Sequence, residues 1–246
     1  MCSRLPGVLA GLLVLISCSV KEDREACPCA LRITLSGLPG PADVQVIAGE
    51  HKASYHAGRD TVMVVQAPKG RIRLLAVAGA SLAPEEPLRI PLGFECPPVY
   101  LYSELVNTLC DSTQVEVTLH KHFCTLSLSF DGPPGWGEPY WAEIRGSVSG
   151  LDREGKPAPG EFTCRLDTGL SVRLPRQAPD DGLWLDVTMP DRVVRSFSLG
   201  AYMLEAGYDW TAPDLDDLPL EIRLSVSEIL IRSGLWTQVI PVTIDI

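Results

Sequence analysis

The feature that most constrains this sequence is an alternation of apolar and polar residues with a period of two. Leu31, Ile33 and Leu35 are separated by Arg32 and Thr34, and Val115, Val117 and Leu119 by Glu116 and Thr118. Successive side chains on an extended strand point to opposite faces, so such a run buries one face and wets the other. Similar runs lie at 44–47, 61–65, 72–77, 162–166, 170–174, 183–189, 220–226 and 242–246. Turn clusters such as Gly37-Leu38-Pro39-Gly40-Pro41 and Pro68-Lys69-Gly70 punctuate them. A short helix is expected only over 103–109, where Leu105, Val106 and Leu109 share a face.

The alternation changes phase near residue 120. Apolar positions are odd up to Leu119 and even from Cys124 through Leu126, Leu128 and Phe130. A strand cannot exchange its faces without a bulge or a break, so a boundary is expected near His120 to His122. The pattern predicts an all-β chain of two tandem β-sandwich domains, 30–120 and 121–246. The formal charge of −10 lacks the basic footprint of a nucleic-acid binder, and no such partner is expected.

The first residues carry a processing signal. Arg4 precedes the apolar run 8–16, which at about 1.5 Å per residue is too short to cross a ~30 Å hydrocarbon layer. It reads as a signal peptide over 1–17. Leu15-Ile16-Ser17-Cys18 has the form of a bacterial lipobox, which makes Cys18 the expected lipid attachment point. Several acyl chains on one residue hold a membrane stably where a single chain does not. The stretch 18–29 then serves as a lipidated tether, and Ser19, Lys21, Glu22 and Asp23 as a solvated spacer or export signal.

Beyond Cys2 and Cys18 there are six cysteines: Cys27, Cys29, Cys96, Cys110, Cys124 and Cys164. An exported chain can oxidise them. Cys27 and Cys29 stand too close to pair readily with each other. A Cys96–Cys110 bridge closing a loop around 100–109 is the favoured pairing, and Cys124 and Cys164 fall in phase with core positions. His120 and His122 are read as linker histidines, and no metal site is expected. Asp214, Asp216 and Asp217 lack the glycine and terminal glutamate of a calcium loop and read as a solvated acidic turn. Gly146-Ser147-Val148-Ser149-Gly150 reads as a strand end and turn, not a nucleophile elbow. Trp141, Trp184 and Trp210 suit core filling, with sugar stacking as the other role of such rings. No catalytic residue, enzyme activity or cofactor is expected.

Three stretches point to one family. They are Cys18-Ser19-Val20-Lys21-Glu22-Asp23-Arg24 followed by Cys27-Pro28-Cys29; the run 115–130 with Leu119-His120-Lys121-His122-Phe123 at its centre; and Phe197-Ser198-Leu199-Gly200-Ala201-Tyr202 followed by Gly207-Tyr208-Asp209-Trp210-Thr211-Ala212-Pro213-Asp214-Leu215. Together they resemble the FimB-type, or minor-fimbria-anchor-type, subunits of the fimbrillin-related lipoproteins. The resemblance implies two transthyretin-like, Greek-key sandwich domains. It further implies a surface-exposed outer-membrane lipoprotein that tethers a strand-exchanged fimbrial stalk subunit and affects the length of the polymer. On this reading the chain stays uncut after Arg24, because a cut there would sever the lipid. The residues at 237–246 suit either a last sheet strand or a donated one. The competing expectation is a surface lipoprotein that binds a glycan or host protein through sandwich loops.

Overall fold

The computed structural model describes residues 27–58, 61–80, 88–131, 141–166, 171–180, 182–188, 192–224, 228–233 and 236–241. Within them the protein is nearly all β, in two lobes. The first lobe begins with β1 (Cys29–Ser36), β2 (Ala42–Ala48), β3 (His51–Ala57), β4 (Thr61–Ala67) and β5 (Arg71–Ala78). The chain then crosses to the other lobe as β6 (Leu88–Arg89) and returns as β7 (Tyr100–Asn107), β8 (Ser112–Thr118) and β9 (His120–Lys121). The second lobe comprises β10 (Phe123–Asp131), β11 (Trp141–Leu151), β12 (Pro157–Leu166), β13 (Ser171–Pro175), β14 (Trp184–Thr188), β15 (Val194–Phe197), helix α1 (Leu199–Glu205), β16 (Leu218–Leu224), β17 (Glu228–Ser233) and β18 (Trp236–Pro241).

Each lobe is a sandwich of two sheets. In the first, the order β4-β1-β8 faces β3-β2-β5-β7-β9; in the second, β13-β10-β16-β17-β18 faces β12-β11-β14-β15. The two lobes share one topology. The first strand of each sits between an antiparallel neighbour, β4 or β13, and a parallel one, β8 or β16. Likewise β2 lies between β3 and β5 as β11 lies between β12 and β14. The alternation read from the sequence is the burial pattern of β1, where Cys29, Leu31, Ile33 and Leu35 are fully buried.

The expected helix over 103–109 is strand β7 instead. Leu101 faces the second lobe and Val106 the first-lobe core, while Leu105 stays exposed, so its apolar residues serve two faces and break the period of two. Strand β5 does the same: Leu74 and Ala76 enter the first core, Leu75 and Val77 the second. A sheet covered on both faces takes near-continuous apolar runs. Strand β11 runs straight through Gly146 to Gly150, with register irregularities at both glycines in place of the expected turn. A Cβ on Gly150 would fall 1.7 Å from the Leu88 carbonyl, so only glycine lets β6 cross there.

Candidate functional site

Two surfaces carry the chemistry that the chain offers a partner: the open edges of the narrow β4-β1-β8 sheet, and the junction between the lobes.

Among the described residues, β8 pairs only with β1. The Ala30 N–H donates to the Asp111 carbonyl at 2.9 Å, and Leu119 N–H to Ser36 at 3.0 Å, which fixes the phase of this parallel ladder. Thr113, Val115 and Val117 therefore turn their backbone groups toward β1, and Ser112, Gln114, Glu116 and Thr118 turn theirs outward. On the other edge, Val62 and Val64 of β4 expose apolar surface, 47% and 56% accessible. The second lobe closes the corresponding positions. Strands β17 and β18 extend the sheet beyond β16, the strand that corresponds to β8. The segment 88–97 covers β12 and β13: Gly93 N–H donates to Thr163 at 2.8 Å, Cys96 N–H to Arg173 at 2.9 Å, and the Glu95 carboxylate pairs with the Arg173 guanidinium. Among the described residues, strand β8 is thus an edge strand at a position whose counterpart in the other lobe, along β16, is paired.

The junction is built around His122 and Arg176. The backbone ties His122 to both lobes, its N–H donating to Val99 at 3.0 Å and its carbonyl accepting from Arg176 at 3.1 Å. Arg176 donates through Nε to His122 Nδ1 at 3.2 Å, and through its terminal nitrogens to the carbonyls of Trp210, Ala212 and Pro213. Burial pushes the His122 pKa down to about 4, and the Arg176 charge beside it works the same way. Burial also lowers Arg176 from its ordinary value. Gly155 closes the pocket at φ +78°, with His122 Cε1 only 2.5 Å from where a Cβ would sit.

The acidic turn is not simply solvated. Asp214 Oδ1 accepts the Lys121 N–H at 2.7 Å and its other oxygen lies 3.1 Å from His120 Nδ1. Asp217 Oδ1 accepts from Lys121 Nζ and from the Thr125 N–H, both at 2.7 Å. Burial works to raise both carboxyls, but these bonds hold them below the usual range. A cleft of about 670 Å³ opens beside the junction, lined in part by Glu104, Glu116, Lys156 and Thr211. Glu154 on its rim reaches Arg73 of β5 at 3.1 Å and bridges the lobes.

The remaining expectations divide. Cys18, Ser19, Lys21, Glu22 and Asp23 lie outside the described residues, as does the end of the 237–246 stretch; its described part is the edge strand β18. The Cys96–Cys110 bridge is corrected. Cys96 is a thiol buried beneath β13, its pKa pushed by burial up to about 12, whereas Cys110 is exposed at the β7–β8 turn. Strand β7 separates them by roughly 20 Å, against the ~7 Å limit for a disulfide. Cys124 and Cys164 are buried thiols. Trp210 fills the core at 2% exposure, but Trp141 and Trp184 face outward on the β12-β11-β14-β15 sheet. Trp141 carries the Arg165 guanidinium 4.2 Å above its ring, and Trp184 is 37% exposed. Sequence reasoning missed Arg176 altogether, because its acceptors lie 34–37 residues away along the chain.

The combination defines a class: a two-lobed all-β protein in which each lobe is a sandwich of two sheets. No family model and no curated protein matches the sequence. Among solved structures the chain is similar to the fimbrial anchor protein Mfa2 from Porphyromonas gingivalis, with TM-score 0.62 and 11% identity over 86% of this chain and 99% of that one. It is also similar to a candidate polysaccharide-binding protein from Bacteroides thetaiotaomicron, with TM-score 0.61 and 14% identity over 86% and 98%. A fimbrial assembly protein from Parabacteroides distasonis aligns with TM-score 0.51 and 9% identity over 87% and 100%. At these identities the likeness is one of fold.

Proposed function

We propose that the protein is a non-catalytic, lipid-anchored subunit at the base of a fimbria. Cys18 carries the acyl chains in the outer membrane, residues 18–29 act as tether, and a stalk subunit adds a strand to the surface-exposed body. The observation that carries this reading is the open edge of β8. The second lobe holds an antiparallel strand, β17, at the equivalent place along β16, whereas among the described residues β8 has no such neighbour. The fold shared with the Mfa2 anchor protein and the lipobox at Cys18 support the assignment. Replacing Cys18 by Ala tests it: assembled fibres are expected in the medium instead of on cells, and unchanged attachment would refute the reading.

A second reading rests on the outward tryptophans. Trp141 and Trp184 flank Glu143, Arg145 and Asp186 on one sheet face, a mixture of rings and charged groups suited to a glycan. Saturable binding to a glycan array that is lost in Trp184→Ala would favour it over the anchor.

A further inference from the structure

The β1–β8 register brings two cysteines that stand 83 residues apart in the chain to one corner of the fold. Ala30 stands opposite Ser112 and the ladder is parallel, so stepping back along both strands sets Pro28 level with Cys110 and Cys27 level with Leu109. Pro28 has no N–H to extend the ladder, and the chain bends at Cys27 on one side and at Cys110 on the other. Were the ladder continued past its last pair, one strand spacing across and one residue along would set their Cα atoms about 6 Å apart, inside the disulfide range. The same corner is pinned from a third side, where Lys69 Nζ meets Asp111 Oδ1 at 2.6 Å and Thr108 Oγ1 donates to the Pro68 and Gly70 carbonyls. Cys27 and Cys110 are both exposed. Their neighbour Cys29 is fully buried, with its sulfur 3.5 Å from Thr113 Oγ1.

We propose that Cys27 and Cys110 form a disulfide that staples the root of the tether to the β7–β8 turn. Two thiols lose their protons and join through one S–S bond, and the electron pair reduces a disulfide-bearing oxidant to two thiols. The Cys110 thiolate attacks the oxidant, expelling one of its thiolates to give a mixed disulfide, and the Cys27 thiolate then attacks the Cys110 sulfur and expels the oxidant's second thiolate. The staple resists one mode of failure. A pull on the tether enters the fold at Cys27 and peels β1 from its first residues; the bridge transfers that load to β7, inside the five-stranded sheet. This inference rests on the export and tethering proposed above.

The full chain is expressed with its own leader and recovered under non-reducing conditions. Exposed thiols are blocked with N-ethylmaleimide, and the protein is digested with trypsin and a Glu-specific protease. A Cys29→Ser background separates Cys27 from its neighbour in the same peptide. A linked pair of peptides holding Cys27 and Cys110 is expected, released by reductant and absent in Cys27→Ser and Cys110→Ser. Reduction should lower the melting temperature of the wild type by several degrees and leave the double variant unmoved. Direct alkylation of both cysteines, a bridge from Cys110 to Cys29 or Cys96, or a bridge between two chains would each overturn the proposal. Acyl mass on Cys18 is read in the same digest, so a bridge without lipid refutes the anchor alone, and lipid without a bridge refutes the staple alone.

Discussion

His122 and Arg176 make the junction sensitive to pH in a definite direction. Protonating the buried imidazole would set a second cation against the guanidinium that donates to it, and the folded protein holds its pKa at about 4 against an ordinary 6.5. Between those values the unfolded chain binds a proton that the folded chain refuses. The contribution is therefore complete above pH 6.5 and lost as pH falls to 4, on the order of 3 kcal/mol for a shift of this size. Urea unfolding followed from pH 7 to 4 should show this loss, and His122→Asn should flatten it. Asp186, Asp214 and Asp217, whose pKa values are lowered, lose their contributions only as pH falls below the ordinary carboxylate range. Arg176→Met leaves the carbonyls of Trp210, Ala212 and Pro213 without their donor and is expected to cost about 3 kcal/mol in the same assay. None of this was legible in the chain's local pattern. His122 reads as a linker residue and Arg176 does not stand out at all, since a one-dimensional pattern carries burial but not the partner a buried donor meets. Within the stretch 207–215, the carbonyls of Trp210, Ala212 and Pro213 converge on the one Arg176 guanidinium.

At the scale of elements, the strand docking proposed above turns on β8. The outward backbone groups of Gln114 and Glu116 face away from β1, so proline at both positions removes two outward donors and leaves the ladder to β1 intact. Gln114→Pro with Glu116→Pro should keep the melting temperature within a few degrees while co-purification with the stalk polymer falls at least tenfold; undiminished capture would move the contact off this edge. Strands with one wet face, such as β1, β4 and β8, were plain in the alternation. Those with other duties were not: β7 divides its apolar residues between two cores, and β11 carries irregularities at Gly146 and Gly150 that scramble the period. Edge strand β3, with His51, Lys52 and His56, has too few apolar residues to announce itself, and its charges suit a position that discourages pairing.

Over the whole molecule, the shared topology of the two lobes left no repeat that could be read along the chain, because strand order is preserved by backbone pairing whatever side chains fill each core. The lobes are nonetheless not independent beads. Segment 88–97 belongs by sequence to the first and by hydrogen bonding to the second, and the second core draws in Ile47, Leu75, Val77 and Leu101 from the back of the first lobe's larger sheet. A continuous apolar face of this kind couples unfolding, since either lobe alone would expose it to water. The residue distribution supplies the probe. All five tryptophans, at 136, 141, 184, 210 and 236, lie after His122 in the sequence, and Trp141, Trp184 and Trp210 belong to the second lobe, so indole fluorescence is the probe for that lobe while far-ultraviolet circular dichroism reports both. Their urea transitions are expected to coincide at one midpoint. Val77→Asp, which sets an unpaired charge on the buried interlobe face, should split them, with the circular dichroism signal starting to fall at lower urea than the fluorescence. Separate transitions in the wild type would mean that the shared core does not join the lobes, and in the proposed anchor a load on the tether would then reach β8 through a flexible hinge instead of a single rigid body.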